Sequence, residues 1–212
     1  MVSDKKNAYK YAYEYIRERM LDGSYEGGMK LIEDRLSEEI GVSRTPIREA
    51  IRRLEQEGLI RNKRIYNPSA QDLIYIYELR ILIESYAAKK AAENMKEETI
   101  KELENTITEA HKAFSDEQYK KMYHVNQHFH DLIANECHNP LMIERLEIAK
   151  TIFYLFSLKL NIYKRPHIID EHEEIYNAIK DRNEQLAGEL MANHLKKDMS
   201  YILEIIARSG RF

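Results

Sequence analysis

The chain has little cysteine, proline or glycine: one Cys, four Pro and seven Gly in 212 residues. A single thiol, Cys137, excludes a framework of internal disulfides and fits a reducing compartment. It reads as a small buried apolar side chain. A sheet-rich chain needs many tight turns, so this scarcity of turn formers makes helix the expected element. Long hydrophobic runs are also missing. The longest, around residues 152–160, is interrupted by Ser157 and Lys159 and falls well short of the roughly 20 apolar residues that span a bilayer. Residues 1–10 are polar, without the apolar core of a signal peptide. The expectation is a cytoplasmic protein with no membrane partner.

What is present supports a packed fold. Hydrophobic residues make up 43% of the chain and charged ones 33%, enough apolar surface for a core and too much for disorder. The net charge of −3 hides an uneven division. Residues 1–67 carry 14 Lys+Arg against 12 Asp+Glu, whereas residues 68–212 carry 19 against 24. Within residues 44–64, seven basic residues face three acidic ones. Phosphate contacts supply most non-specific affinity for a duplex, so a local basic stripe on an acidic protein points to nucleic acid. A solvated helix face is the plainer reading of such a stripe taken alone.

Periodicity organises the first third of the chain. Tyr9, Tyr13, Ile16 and Met20 form one apolar stripe of a helix over residues 7–21, which Asp22-Gly23 ends. Ile32, Leu36 and Ile40 predict the buried face of a short second helix, closed by Gly41, a residue that takes a left-handed conformation without steric cost. Ser43 or Thr45 can then cap a third helix, with Pro46 in its first turn. In that helix Ile47, Ala50, Ile51 and Leu54 recur at helical spacing and must face inward. Thr45, Glu49, Arg52 and Gln56 then point outward, flanked by Arg48 and Arg53. Two short helices around a tight Gly turn form a helix-turn-helix, whose second helix enters the major groove. Residues 59–66 read as two short strands around a basic turn containing Lys63 and Arg64, a small wing.

Asn67-Pro68 marks an expected domain boundary, giving domains of residues 1–67 and 68–212. Ser69 is expected to cap a long helix reaching about Met95, with Leu73, Ile76, Leu79, Ile83 and Tyr86 as its buried stripe. Further helices are expected over residues 98–114, 116–137, 141–163, 168–181 and 185–208, with Asn139-Pro140 and Asn183 as start signals. The fold class is therefore mostly α: a winged helix-turn-helix of three helices and a small β wing, then an all-α antiparallel bundle of about six helices.

The run Ile40-Gly41-Val42-Ser43-Arg44-Thr45-Pro46-Ile47-Arg48-Glu49-Ala50, continued by Glu55-Gln56-Glu57-Gly58-Leu59, closely resembles the winged-helix signature of the GntR superfamily. The second part resembles the FCD ligand-binding domain of its FadR-type subclass. The matching pieces are Leu79-Arg80, Ile83-Glu84, Asn126 with Phe129-His130, Asn139-Pro140-Leu141, Glu171-His172 and His194. The resemblance implies a transcription regulator that acts, usually by repression, as a homodimer on near-palindromic double-stranded operator DNA. It also implies that Ser43, Arg44, Thr45 and Arg48 contact DNA. An Arg pairs bidentately with guanine O6/N7, while hydroxyls suit phosphates or base edges. An ion pair with a nearby Glu is the structural alternative for Arg48. Arg52 and Arg53 read as phosphate contacts or solvated residues. Two departures stand out: Asp34 occupies a position often basic in the subclass, and the wing is short and has no Gly at its tip, leaving Lys63 and Arg64 to attract phosphates.

The same resemblance implies a divalent metal ion, zinc or nickel, held by Asn126, His130, His172 and His194. Asn126 and His130 stand at i and i+4, on one helix face. Neutral imidazoles suit such ions, and open coordination positions would accept the carboxylate of a small carboxylic acid effector. A neutral amide at Asn126 supplies less charge than an Asp. Arg80 is the candidate effector-binding residue, with an ion pair to Glu84 as the alternative. His128 faces elsewhere, and His111, His124, His138 and His167 read as surface or structural residues. An enzyme is not expected. His172-Glu173-Glu174-Ile175-Tyr176 approaches the zinc-protease pattern H-E-x-x-H, but Tyr176 stands where the second ligand belongs, and no carboxylate beside the cluster is marked as a general base. A DNA-binding regulator whose second domain is purely structural is the other alternative.

Overall fold

The computed structural model describes residues 2–160, 165 and 167–209, leaving aside the side chains of residues 2–6, 119–120, 154–160 and 209. Its elements run α1 (Val2–Leu21), α2 (Glu33–Ile40), α3 (Arg44–Gln56), β1 (Ile60–Arg61), β2 (Arg64–Ile65), α4 (Ala70–Asn94), α5 (Glu97–Ser115), α6 (Tyr119–Asn135), α7 (Pro140–Leu160), α8 (Ile168–Lys180) and α9 (Glu184–Ser209). The mostly helical class and the helix-wing order match the sequence expectation. The expected end of the fourth bundle helix, Tyr163, lies outside the described residues. The chain divides into two compact units, Met1–Ser69 with Lys150–Lys159, and Ala70–Ala149 with Leu160–Phe212.

In the first unit, α1 packs on α3 and α2 on α3. The inward stripe of α3 is realised: Ile47, Ala50, Ile51 and Leu54 are all buried, together with Ile16, Met20, Leu31 and Leu36. Gly41 ends α2 at φ 74°, and its N–H donates to the Ser37 carbonyl, which lets the chain turn tightly into α3. Ser43, not Thr45, occupies the N-cap position of α3, and its hydroxyl makes no capping bond. One expectation fails here. Ile32 is not on the buried face of α2; it precedes the helix and is exposed, and Leu31 takes the inward position.

β1 and β2 pair antiparallel, Ile60 with Ile65 and Arg61 with Arg64. Asn62 and Lys63 make the two-residue turn with positive φ at both positions, the conformation that matches the twist of a hairpin. Residues 28–31 add a third line of pairing. The N–H of Ile65 donates to the Met29 carbonyl, that of Leu31 to the Lys63 carbonyl, and Lys30 bridges Arg64.

In the second unit, α4 packs along α9 and also meets α6 and α8, while α5 lies against α6 and α8. Asn139 and Asn183 are caps, as expected: Asn139 Oδ1 accepts from the Leu141 and Met142 N–H groups, and Asn183 Oδ1 from Leu186 N–H. The expected stripe of α4 is right at Leu73, Ile76 and Ile83, and Leu79 is partly buried. It is wrong at Tyr86, which is 41% exposed. The burial instead extends to Tyr77, Arg80 and Glu84, so the helix has a second inward face that carries charge. No helix is long and apolar enough to cross a membrane among the described residues.

Candidate functional site

Two sites emerge, one in each unit. In the first, the aliphatic underside of α3 holds its opposite face outward, and Ser43, Arg44, Thr45, Arg48 and Arg52 are all exposed. Most of its cations rest on acceptors. Arg44 Nε lies 3.0 Å from Asp34 Oδ1. Arg48 donates from Nε (3.1 Å) and Nη2 (2.9 Å) to Glu33 Oε2, and Lys63 Nζ reaches Glu33 Oε1 at 2.9 Å. Hydrogen bonds from Arg48 and Lys63 pull the Glu33 carboxyl down to about 2. Arg64 donates to the Gly28 carbonyl, fixing the wing to residues 28–31. Arg53 pairs with Glu57, which also accepts from Tyr13 Oη on α1, so Arg53 belongs to the α1–α3 junction. The ion pair with a nearby Glu offered as the alternative for Arg48 is present, and Glu33 is the partner; nothing local singled it out, because Glu33-Asp34 at the start of a short helix carries no periodic signal.

In the second unit, α6, α8 and α9 bring His130, His172 and His194 together, buried at 0%, 4% and 1% exposure. Their Nε2 atoms converge: that of His194 lies 3.3 Å from each of the other two. The rings are fixed from behind. His130 Nδ1 contacts Glu84 Oε2 at 2.7 Å and His194 Nδ1 contacts Glu171 Oε2 at 2.8 Å, while His172 stacks on Phe129 with centroids 4.0 Å apart. A carboxylate only accepts, so His130 Nδ1 carries hydrogen and the neutral ring turns its Nε2 lone pair inward, while His194 Nδ1 has both Glu171 Oε2 and, at 3.2 Å, the donor Arg165 Nη2. Two lone pairs facing each other at 3.3 Å would repel; either an N–H on one ring or a metal ion bound by both removes that repulsion.

The carboxylates are in turn neutralised. Glu84 receives Arg80 Nε at 2.7 Å, and Arg80 is 2% exposed with its guanidinium against the Tyr77 ring. Burial alone would raise the Glu84 carboxyl, but Arg80 and His130 outweigh it and hold it well below the ordinary range. Glu171 receives both Nη atoms of Arg165, as well as Lys197 Nζ at 3.1 Å, and is likewise held low against its burial. Arg165 Nε lies 2.6 Å from Asp198 Oδ1, off the N–H axis, and Tyr77 Oη donates to Asp198 Oδ2 at 3.3 Å. Burial pushes His130 and, further, His172 below the usual imidazole value, so both stay neutral and able to ligate.

The residues fit a divalent ion on two observations. Tetrahedral nitrogens about 2.0–2.1 Å from zinc stand roughly 3.3–3.4 Å apart, the spacing found at His194. Asn126 Oδ1, one turn before His130 on α6, is buried with no hydrogen-bond partner among the described residues. A native protein rarely leaves such an oxygen unsatisfied, and a cation would satisfy it. Two carboxylates stand beside the cluster, and neither is placed as a general base: Glu84 and Glu171 contact the Nδ1 atoms, on the other side of the rings from the convergent nitrogens. A cleft of about 250 Å³ lined by Glu171, Glu174, Leu190, Asn193, His194, Lys196 and Lys197 reaches the edge of His194. Of the five remaining histidines, His111, His128, His138 and His167 form exposed contacts with acidic residues, and His124 is exposed beside the Tyr123 ring.

Comparison with known proteins places both units. Residues 8–64 match the bacterial regulatory proteins of the gntR family, and residues 75–197 match the FCD domain. The uncharacterized HTH-type transcriptional regulator YdhC of Bacillus subtilis (strain 168) is 28% identical over 203 residues, covering 92% of this chain and 90% of its own. The gluconate operon transcriptional repressor of the same organism is 24% identical, over 87% of this chain and 80% of its own. Among solved structures, a GntR transcriptional regulator from Rhodococcus sp. RHA1 superposes with TM-score 0.75 at 21% identity, covering 92% of this chain and 97% of its own. McbR/YncC of E. coli does so with TM-score 0.72 at 18% identity, covering 95% and 98%. YdhC, the gluconate operon protein and the Rhodococcus protein are each named as transcription regulators.

Proposed function

The chain belongs to the gntR family of bacterial regulatory proteins and carries an FCD domain, and from that premise we propose that it is a metabolite-responsive repressor whose sensing domain is built around a divalent metal. As a family member it is a DNA-binding transcription regulator. In the finer reading, residues 1–67 dock on an inverted-repeat operator through Ser43, Arg44, Thr45, Arg48 and Arg52, with Lys63 and Arg64 of the wing on phosphates. Repression follows the relative that is a gluconate operon repressor.

The observation that carries the sensing half is the convergence of three Nε2 atoms, with the unsatisfied Asn126 oxygen one turn before His130 on the same helix. His130, His172, His194 and Asn126 would hold zinc or nickel, and the ion would supply positive charge and open positions for the carboxylate of a small acid. The cleft beside His194 is lined by Lys196 and Lys197 together with Glu171, on which Lys197 rests, and Glu174, a polar approach to the centre. The coupling runs through the chain's own residues. Glu84 sits on α4 and accepts from His130, so any shift of His130 is felt by α4. Only four residues separate that helix from the wing strand β2, and half-site spacing on DNA is tightly set. A homodimer is favoured by a stripe on the outer face of α4, where Tyr75, Leu82 and Tyr86 are exposed at 58%, 73% and 41%.

The test is direct. Duplexes selected from a randomised library by the purified protein should converge on a short inverted repeat. Metal analysis should find about one divalent ion per chain, lost in His172→Ala. Affinity for the selected duplex should then change with one of a panel of small carboxylic acids. No enriched duplex would overturn the regulator reading, and no bound metal would overturn the metal centre. One observation favours a second reading, a regulator whose bundle senses nothing: Arg80, the candidate acid binder, is already engaged by Glu84. Unchanged operator affinity and unchanged melting across the panel would decide for it.

A further inference from the structure

A carboxylate on a DNA-facing surface needs a reason, because it repels the phosphates its neighbours attract. Glu33 is such a group. It stands in the first turn of α2 with an 11% exposed side chain, between the second turn of α3 and the wing tip. Its two oxygens are divided between the two elements: Oε2 takes Arg48 Nε and Nη2, and Oε1 takes Lys63 Nζ. The partners lie 15 and 30 residues further along the chain. Lys63 is held a second time, its N–H donating to Glu55 Oε1 on α3.

The way Arg48 is held determines what it can still do. With Nε and one Nη2 hydrogen on Glu33, the remaining Nη2 hydrogen and both Nη1 hydrogens form the end of the fork, the edge that pairs with guanine O6 and N7. An arginine free to rotate would give up its rotamer freedom on docking; one already braced gives up less. Lys63 is aimed by the same carboxylate, so wing and recognition helix share one reference point.

We propose that Glu33 is a positioning residue for DNA recognition: a single carboxylate that braces Arg48 for base reading and Lys63 for phosphate contact, trading general attraction for sequence discrimination. This rests on the reading of Arg48 as a DNA contact. It separates from simple charge repulsion by sign. If Glu33 only repels, Glu33→Gln tightens every duplex. If Glu33 braces, the same variant binds the selected duplex about tenfold more weakly, binds random duplex equally or more tightly, and loses base preference at the position Arg48 reads.

The experiment begins with duplex selection by the wild-type protein. Absence of any enriched sequence sinks the regulator reading itself, before Glu33 is at issue. With a selected duplex in hand, Glu33→Gln is compared on that duplex, on a random one and in a repeat selection. Weaker specific binding with a broadened profile supports the bracing role. An unchanged profile, or affinities for both duplexes that rise or fall together, overturns it. Should the variant fail to fold, the wild-type Arg48 Nε–H resonance, assigned by its loss in Arg48→Lys, reads the same point in the free protein. A shifted, exchange-protected signal supports the brace, and one typical of a freely rotating arginine overturns it.

Discussion

At the scale of single residues, the histidine centre is decided by what stands behind the ligands. Glu84 fixes which nitrogen of His130 carries hydrogen, Glu171 holds the His194 ring from behind, and Arg80 and Arg165 keep those carboxylates charged within a buried layer. Removing one member of a buried ion pair leaves the other uncompensated, at a cost of about 3–5 kcal/mol. Glu84→Gln is therefore expected to lower unfolding free energy by that order in urea titration, and Arg80→Met combined with Glu84→Gln to recover most of it. If the double variant is as unstable as the single, Arg80 is not the reason. Asn126 gives a sharper test. An unsatisfied buried carbonyl costs about 1–3 kcal/mol, so Asn126→Ala should leave the metal-stripped protein nearly as stable as wild type. In a competition titration the same variant should bind zinc more weakly by at least the roughly 10–100-fold that even an outer partner contributes. Equal zinc affinity would remove Asn126 from the ligand set. The four ligand candidates were legible from family resemblance and, for Asn126 and His130, from their i, i+4 spacing. Arg165 and Asp198 were not: they meet only because the chain returns on itself, and nothing in their local sequence marks them.

At the scale of elements, legibility follows periodicity. The inward face of α3 repeats at Ile47, Ala50, Ile51 and Leu54, and all four are buried, because a short helix packed on one side has only one apolar stripe to offer. α4 is different. It packs on α6, α8 and α9, so apolar spacing alone identifies only one of its inward faces. The other buries Tyr77, Arg80 and Glu84, residues that a polarity pattern assigns to solvent, and they are affordable inside only because they pair. The strand-like pairing of residues 28–31 was likewise hidden, since the run is too short to show alternation. Leu54, fully buried at the centre of the first unit's core, sets a measurable scale. Leu54→Ala should cost about 2–5 kcal/mol by transfer and cavity, with operator binding lost in proportion to unfolding and restored at lower temperature. A variant that keeps its stability would mean that the α3 underside is not a packed core.

At the scale of the whole molecule, the proposed signal is an exchange of free energy between the histidine centre and the operator. Coupling of this kind typically amounts to about 1–3 kcal/mol, a 5–150-fold change in affinity. It is reciprocal by thermodynamic necessity: whatever factor an acid effector imposes on operator affinity, the operator must impose on the acid. Isothermal titration of the acid into free protein and into protein saturated with its selected duplex should therefore give two dissociation constants whose ratio equals that factor. His172→Ala is expected to keep operator affinity while erasing the ratio, because α3 and its charged face do not depend on the bundle's ligands. Assembly sets the condition for both. The exposed stripe of Tyr75, Leu82 and Tyr86 on α4 predicts that Leu82→Glu, which puts charge in the middle of an apolar contact, converts a two-chain particle in light scattering into a one-chain particle. A monomer reads one half-site, so its affinity for the full inverted repeat should drop to that for a single half, and the acid's effect on operator binding should vanish with it. Were Leu82→Glu to remain a dimer with its coupling intact, α4 would not be the face through which two copies compare their state, and the route from Glu84 to half-site spacing would have to run elsewhere.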